Sequence, residues 1–169
     1  MTLPRRRPRL TDSSLPRAKG GHLPYSLLIV DDNALIRQTL RTYLEAKTDW
    51  LVCGEAENGK SAVDKVQELK PDVVILDFRM PVMNGLDAAR RIVESAPKTM
   101  IIMLTMHDCI QLRDEARVAG VMDVISKCGK FGDHILTSLK SFEQTNSLSP
   151  VSPVSQRYAP ACGGRATFD

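Results

Sequence analysis

Short apolar runs alternate with helical segments through the middle of the chain, and this alternation restricts the fold more than any other feature of the sequence. Where they do not alternate, four of the runs are continuous and rich in β-branched residues, which is typical of strands buried on both faces of a sheet. A weaker fifth run lies between the first two. In chain order the runs are Leu27–Val30, Trp50–Cys53, Val73–Leu76, Met100–Leu104 and Val121–Ile125.

Apolar residues at helical spacing follow each run. After the first run, for example, Ile36, Leu40 and Leu44 fall on one helix face. A strand and a helix repeated five times, joined by right-handed crossovers, predict an α/β fold with a doubly wound, five-stranded parallel sheet and helices on both faces. Glycine and proline fall where this pattern needs breaks, at Gly59, Pro71, Gly85, Pro97, Gly120 and Gly132.

Both ends of the chain differ in composition from this middle part. Residues 1–25 hold six basic side chains, one acid and four prolines without apolar periodicity, so we expect a disordered basic arm. Residues 147–169 are rich in serine, proline and glycine, and we expect a disordered tail. The 169 residues then leave one domain at 26–146, which excludes a multidomain enzyme.

Membrane and metal-thiolate classes are also excluded. No apolar run approaches the roughly 18 residues that a membrane span needs, and the N-terminus lacks the apolar part of a signal peptide. The four cysteines lie far apart, form no C-x-x-C pair and occur with only three histidines. Neither a zinc site nor a disulfide framework is indicated, so we expect a cytoplasmic protein with reduced thiols.

Polar side chains stand where four of the five predicted strands end. Asp31 and Asp32 follow the first strand, Asp77 the third, Thr105 the fourth and Lys127 the fifth. In a doubly wound sheet the carboxyl ends of the strands line the working cleft, so we expect these side chains to meet there. Three carboxylates at close quarters repel unless a cation is present, and an open cluster of oxygen ligands favours Mg²⁺.

A cation with a lysine and a hydroxyl beside it can neutralise the oxygens of a transferring phosphoryl group. One carboxylate would then act as the nucleophile and become an aspartyl phosphate. Asp77 is the candidate, because it ends a central strand and leads into the loop DFRMPVMNG. The alternative is that acids at strand ends only cap helices or solvate a loop, which is a weaker account of five polar side chains gathered at the strand ends.

Together these motifs resemble the receiver domain of bacterial two-component response regulators, and the phrase LTMHD is most similar to the NarL-type subfamily. The resemblance covers nearly all of the predicted domain and implies a flavodoxin-like fold. The matching stretches are LLIVDDNALIRQTLRTYL (27–44), GEAENGKSAVDKV (54–66), PDVVILDFRMPVMNGLDAARRI (71–92), MIIMLTMHD (100–108) and AGVMDVISK (119–127).

The resemblance also implies roles for the site residues. Asp77 would be the phosphoacceptor and would bind Mg²⁺ together with Asp32, the backbone carbonyl of Arg79 and, through water, Asp31. Arg79 and His107 also occupy positions that flank the phosphoryl group in the family and tune the rate of its hydrolysis.

By the same resemblance, Lys127 would contact the phosphoryl group and the Thr105 hydroxyl would move to hydrogen-bond it. A sensor histidine kinase or a phosphotransfer protein would donate the group, and catalysis would be limited to accepting and losing it. The added negative charge would shift a two-state equilibrium, and a downstream protein partner would read that shift at residues 109–142. A phosphorylation-dependent dimer is a further expectation.

Three features depart from the family pattern. Val124 stands where the family has its switch aromatic, three residues before the lysine, and Cys128 stands where many receivers have proline. NarL-type regulators usually continue into a helix-turn-helix output domain, for which the 23 residues after Asn146 are too few. We therefore expect a single-domain receiver or the product of a truncated gene.

Two alternatives remain open, and a third is disfavoured by the sequence. A pseudo-receiver would act only as a protein-interaction module, with Val124 as a first sign of decay, although the acids, the threonine and the lysine of the site are all present. A remnant of a DNA-binding regulator would use the basic arm, giving DNA affinity that falls steeply with salt. A Mg²⁺-dependent phosphatase of the haloacid dehalogenase type needs Asp-x-Asp, and Asp77-Phe78-Arg79 lacks the second acid.

Overall fold

The structure is a computed structural model that describes residues 24–106 and 109–147. The predicted arm and tail lie outside the described residues, except at 24–25 and 147. Strands and helices alternate strictly along the described chain. The elements are β1 (Ser26–Val30), α1 (Ala34–Lys47), β2 (Leu51–Ala56), α2 (Gly59–Leu69), β3 (Val73–Asp77), α3 (Gly85–Ser95), β4 (Met100–Thr105), α4 (Ile110–Val118), β5 (Asp123–Ser126) and α5 (Phe131–Ser147).

The five strands form one parallel sheet with the order β2-β1-β3-β4-β5. This confirms the predicted doubly wound sheet. The strand order changes direction between β1 and β3, and in open α/β sheets the crevice at such a switch point is where ligands bind. Residues at the carboxyl ends of β1 and β3 therefore lie where proteins of this architecture usually bind ligands.

β2 is longer than predicted. The apolar run ends at Cys53, but the strand continues to Ala56 because Gly54 and Glu55 also pair with β1. β2 is an edge strand of the sheet. Its side chains are only partly covered there, so a polar residue is tolerated and the continuous apolar pattern of a central strand is absent.

β5 begins two residues later than predicted, at Asp123 rather than Val121. The Val121 amide donates to the Ala116 carbonyl at 2.9 Å and so closes the end of α4 instead of starting the strand. Gly120, with φ of +83°, makes the turn that allows this contact. The apolar run that begins at Val121 therefore includes the turn that closes α4 as well as most of β5.

The helices cover both faces of the sheet. Leu44 of α1 and Ile135 of α5 are fully buried on one face, and Val66 of α2, Ile92 of α3 and Ala116 of α4 are fully buried on the other. Every residue of β3 is buried between these layers. The last residue of β3 is thus held by a rigid, closely packed core.

Asparagine side chains cap three of the helices that follow strands. Asn33, Asn58 and Asn84 each accept a hydrogen bond from a backbone N–H of the first turn of α1, α2 and α3, respectively. Such caps satisfy donors that the helix itself leaves without partners. They also fix the loops that leave the carboxyl ends of β1, β2 and β3.

Three aromatic rings join the start of β1 to α5 at the end of the sheet opposite the strand carboxyl ends. The Tyr25 ring centroid lies 5.0 Å from that of Trp50 and 5.4 Å from that of Phe142. Trp50 is buried, and its indole N–H donates to the carboxylate of Glu143. This aromatic cluster packs the beginning of the described chain against its last helix.

A hydrogen-bonded clamp at the same end joins β1 to β3. The Asp72 carboxylate accepts from the Ser26 N–H at 2.7 Å and from its hydroxyl at 2.8 Å.

We expect Asp72→Ala to lower the free energy of unfolding by about 2 kcal/mol, because two half-buried donors lose their acceptor. Urea unfolding measures this, with the exposed Asp64→Ala as a control expected to change by less than about 0.5 kcal/mol. Equal losses in both variants would contradict the clamp.

Candidate functional site

The candidate site residues converge at the carboxyl end of the sheet. Asp31 and Asp32 follow β1, Asp77 ends β3, Thr105 ends β4 and Lys127 follows β5 directly. Because β1, β3, β4 and β5 are neighbours in that order, these side chains stand side by side. The structure thus places at one end of the sheet all five residues that were predicted from their positions at the strand ends.

Three of these residues form an acid cluster, Asp31, Asp32 and Asp77. Each can offer one carboxylate oxygen, and these oxygens lie within 4.8 Å of one another. Asp31 and Asp77 are buried, with 1% and 4% of their surface exposed, whereas Asp32 is exposed. Carboxylate oxygens with one open side suit Mg²⁺, which binds few protein ligands and keeps several waters. The donor set of the cluster therefore fits a magnesium ion.

Lys127 pairs with both buried acids. Its Nζ lies 2.6 Å from Asp31 Oδ2 and 2.6 Å from Asp77 Oδ1, and its side chain is 8% exposed. Burial raises the pKa of Asp77 above its ordinary value, and the hydrogen bond from Lys127 offsets only part of this effect. Burial also acts to lower the pKa of Lys127, but hydrogen bonds to Asp31 and Asp77 outweigh it, so this pKa is raised and the ammonium stays charged.

The remaining candidates occupy different settings around the acid cluster. Thr105 is buried, and its carbonyl accepts from the Lys127 N–H at 2.7 Å, which ties β4 to β5 beside the cluster. Arg79 is exposed in the loop after Asp77. His107 lies outside the described residues, so its role stays a prediction.

Gly85 holds the loop after Asp77 against the end of β3. A Cβ atom at Gly85 would stand 2.3 Å from the Asp77 carbonyl oxygen, too close for any side chain. The Gly85 N–H also donates to the Phe78 carbonyl at 2.9 Å. The sequence pattern identifies Gly85 only as a break before a helix, whereas the structure shows that its missing side chain lets the loop close over the site.

Val82, in the same loop, has a strained backbone. Its φ is +70°, a region that β-branched residues rarely adopt. The Met83 N–H donates across it to the Pro81 carbonyl at 2.7 Å, which makes a tight three-residue turn. The Val82 side chain is 81% exposed, so it contributes little packing in return. Nothing in the sequence pattern indicates this strain.

Replacing Val82 by glycine should stabilise the protein. Relief of the strain outweighs the greater freedom of glycine in the unfolded chain, and we expect the free energy of unfolding to rise by about 1 kcal/mol. Val118→Gly is the matched control, since Val118 is 85% exposed but lies in α4, where glycine should destabilise. Urea unfolding compares the two, and a loss of stability in Val82→Gly would argue against strain at this position.

Val124 and the three described cysteines differ in exposure. Val124 is 7% exposed within the apolar cluster beneath α4. Cys53 is half-buried, and burial raises the pKa of its thiol, which makes a reactive thiolate unfavourable. Cys109 and Cys128 are exposed in the loops after β4 and β5.

A groove of about 620 Å³ opens beside Asp32. Its lining includes Phe78, Arg79 and Leu86, with Arg90 of α3 and Glu115 of α4. Acids and bases both line it, so it shows no clear preference for ligand charge. It leaves the Asp32 side of the acid cluster accessible from solvent.

The sheet order defines an α/β protein of the flavodoxin-like fold, and the acid cluster lies at the switch point of its sheet. The model of the response regulator receiver domain matches residues 27–139, and the chain belongs to this family. Phosphorylation and Mg²⁺ binding are typical of the family. Within the described residues, no helix combines the length and the apolar character needed to cross a membrane.

Two relatives and one solved structure are similar to this domain. The chain is 43% identical over 101 residues to the chemotaxis protein CheY of Thermotoga maritima, covering 60% of this chain and 83% of CheY. It is 35% identical over 127 residues to a protein-glutamate methylesterase/protein-glutamine glutaminase of Methanococcoides burtonii, covering 70% of this chain but only 36% of that protein. The crystal structure of the response regulator domain of Thermotoga maritima CheB matches with a TM-score of 0.66 at 32% identity, over 76% of this chain and 100% of that domain.

Proposed function

We propose that this chain is the phosphoacceptor module of a two-component phosphorelay, with Asp77 as the residue that receives the phosphoryl group. The observation that carries the proposal is the buried ammonium of Lys127, which bridges Asp31 and Asp77 beside the third carboxylate of the acid cluster. Phosphoryl transfer needs a fixed nucleophile and positive charge close to the transferred oxygens. Asp77 and Lys127 supply these two elements.

In the proposed reaction, a histidine kinase or a phosphotransfer protein presents a phosphohistidine. Asp77 Oδ2 attacks the phosphorus, a P–O bond forms, and the P–N bond breaks with its electron pair going to the imidazole, which takes a proton from solvent. We assign Oδ2 because Oδ1 lies 2.6 Å from Lys127 Nζ. Attack of water on the phosphorus later releases inorganic phosphate and restores the carboxylate, so the chain acts only on its own phosphoryl group.

By the family resemblance, Asp32 and Asp77 would hold Mg²⁺ together with the backbone carbonyl of Arg79, and Asp31 would bind it through water. When bound, the ion neutralises charge that develops on the phosphoryl oxygens. Lys127 already compensates the two buried carboxylates, so the exposed Asp32 is the acid that gains most from a cation.

The output in this proposal is a shift in conformational populations. Phosphorylation places a phosphoryl group of about −1.5 to −2 charge beside Lys127 and Thr105, in place of the single negative charge of the Asp77 carboxylate, and both residues can donate hydrogen bonds to it. Residues 109–142, which form α4, β5 and most of α5, are the proposed surface for a downstream protein partner. Since Val124 is small and buried, the shift would pass from Thr105 to this surface without a moving aromatic ring.

The finer assignments belong to the same proposal. The LTMHD phrase supports a NarL-type receiver, while the relatives described above are of the CheY and CheB types. A phosphorylation-dependent dimer and a cytoplasmic site of action are further parts of the proposal. None of them alters the role of Asp77.

Intact-mass spectrometry tests the proposal. The purified protein is incubated with Mg²⁺ and a small acyl phosphate, and we expect it to gain the mass of one phosphoryl group. EDTA should prevent the gain. A folded protein that gains no mass in the presence of Mg²⁺ would contradict the mechanism and favour a phosphorylation-independent interaction module, the second candidate, which Val124 in place of the aromatic supports.

A further inference from the structure

A charged network lies beside the acid cluster and takes no part in the chemistry described so far. It is formed by Arg37 and Arg41 of α1 and Glu55 of β2. Arg37 is the member that reaches the site. Its Nη1 donates to the backbone carbonyl of Asp31 at 2.7 Å, while its Nε donates to Glu55 Oε2 at 3.2 Å.

A hydrogen bond to the Asp31 carbonyl can affect the orientation of the next residue, Asp32. It shares a planar peptide group with the amide nitrogen of Asp32, so the orientation of this plane sets the direction in which the Asp32 side chain leaves the backbone. Other groups of Asp31 have separate partners: its N–H donates to the Ala56 carbonyl at 3.1 Å, and its Oδ1 accepts from the Asn33 N–H at 2.9 Å. The hydrogen bond from Arg37 therefore restrains the peptide group between Asp31 and Asp32.

Glu55 keeps the guanidinium of Arg37 in place. The second carboxylate oxygen of Glu55, Oε1, accepts from Arg41 Nε at 2.6 Å. This hydrogen bond lowers the pKa of Glu55, so the carboxylate is charged at neutral pH. Glu55 also pairs through its backbone with β1. The network is thus anchored on the sheet, and Arg37, with a side chain 16% exposed, is held between two fixed acceptors.

We propose that Arg37 is a positioning residue for Mg²⁺ binding, because it fixes the Asp31–Asp32 peptide and with it the direction of Asp32 toward the acid cluster. The inference rests on the proposed function, since it concerns the cation of the same site. Asp32 is exposed, so it lacks the close packing that holds Asp31 and Asp77. Residues that orient metal ligands typically contribute about 10–100-fold to metal affinity.

The test compares Arg37→Met with Arg41→Met. Each change removes one guanidinium from Glu55 and leaves an unbranched apolar side chain, but only Arg37→Met removes the donor to the Asp31 carbonyl. The Mg²⁺ dissociation constant follows from the rise in the free energy of unfolding with Mg²⁺ concentration, because a cation that binds only the folded state stabilises it. Urea unfolding is followed by the fluorescence of Trp50, the single tryptophan of the chain, which is buried.

We expect Arg37→Met to raise the Mg²⁺ dissociation constant about 10-fold and Arg41→Met to change it by less than about twofold. Arg37→Lys, which keeps a donor for the carbonyl, should recover most of the affinity. At saturating Mg²⁺, the phosphorylation rate of Arg37→Met should return to within about twofold of the parent rate, because only binding is impaired.

Equal Mg²⁺ affinities in Arg37→Met and Arg41→Met would overturn the inference, whether both match the parent protein or both are weakened alike. The parent titration separates this failure from a failure of the proposed function. If the parent protein showed no stabilisation by Mg²⁺, the metal site itself would be wrong, and the positioning role would fall with it.

Discussion

Asp77→Asn should abolish phosphorylation and leave the fold intact. The change replaces the attacking carboxylate by an amide of the same shape, and we expect phosphorylation by an acyl phosphate to slow by at least about 10³-fold. Asp31 remains to pair with Lys127, and the removed charge is one that burial already disfavours. The free energy of unfolding should therefore stay within about 1 kcal/mol of the parent value.

Two other aspartates serve as controls for Asp77→Asn. Asp32→Asn keeps the nucleophile but removes the exposed ligand, so its phosphorylation should persist and require more Mg²⁺. Asp64→Asn, on the exposed face of α2, should behave like the parent protein. Intact mass after timed incubation measures all three variants. A phosphorylated Asp77→Asn protein would move the acceptor to another carboxylate and refute the assignment.

Lys127→Met should have the largest effect on stability. The methionine keeps the length and apolar stem of lysine but leaves the buried carboxylates of Asp31 and Asp77 without their shared cation. Removing one partner from a buried pair costs about 3 kcal/mol or more in the free energy of unfolding. Because Mg²⁺ supplies positive charge to the same carboxylates, we expect it to restore part of this loss. The phosphorylation rate should also fall about 10²-fold, since charge opposite the transferred oxygens is lost.

Lys130→Met is the matched control for Lys127→Met. Lys130 is exposed, only three residues away, and its replacement should change the free energy of unfolding by less than about 0.5 kcal/mol. Urea unfolding in EDTA and again in Mg²⁺ gives both comparisons. If Lys127→Met and Lys130→Met were equally stable in EDTA, the bridging of Asp31 and Asp77 would not contribute to the fold.

The central strands and their ends could be predicted from the sequence because burial on both faces leaves a continuous apolar run. β1, β3 and β4 are such strands, and the polar residue that ends each run marks the edge of the core. Asp31, Asp77 and Thr105 could therefore be placed without knowledge of their contacts. β2 lies at an edge, where Glu55 is tolerated, so its predicted end was too early. The predicted start of β5 was too early because Val121 closes the end of α4 instead of starting the strand.

Contacts between side chains of different elements could not be predicted in the same way. The reach of Arg37 to the Asp31 carbonyl depends on the angle between α1 and β1 and on one side-chain conformation. The need for glycine at position 85 depends on a close approach to β3, and the strain at Val82 on how the loop closes. These features depend on distances of a few ångströms across the folded domain, and periodicity contains no information about them.

The aromatic cluster has a consequence for how this domain can be joined to other proteins. Tyr25 and Phe142 bring the beginning of β1 and the last helix together at the pole opposite the acid cluster. The beginning of β1 and α5 therefore lie close together, far from Asp77. We therefore expect that the domain can be inserted into a surface loop of another protein, or circularly permuted, without separating the acid cluster from Lys127.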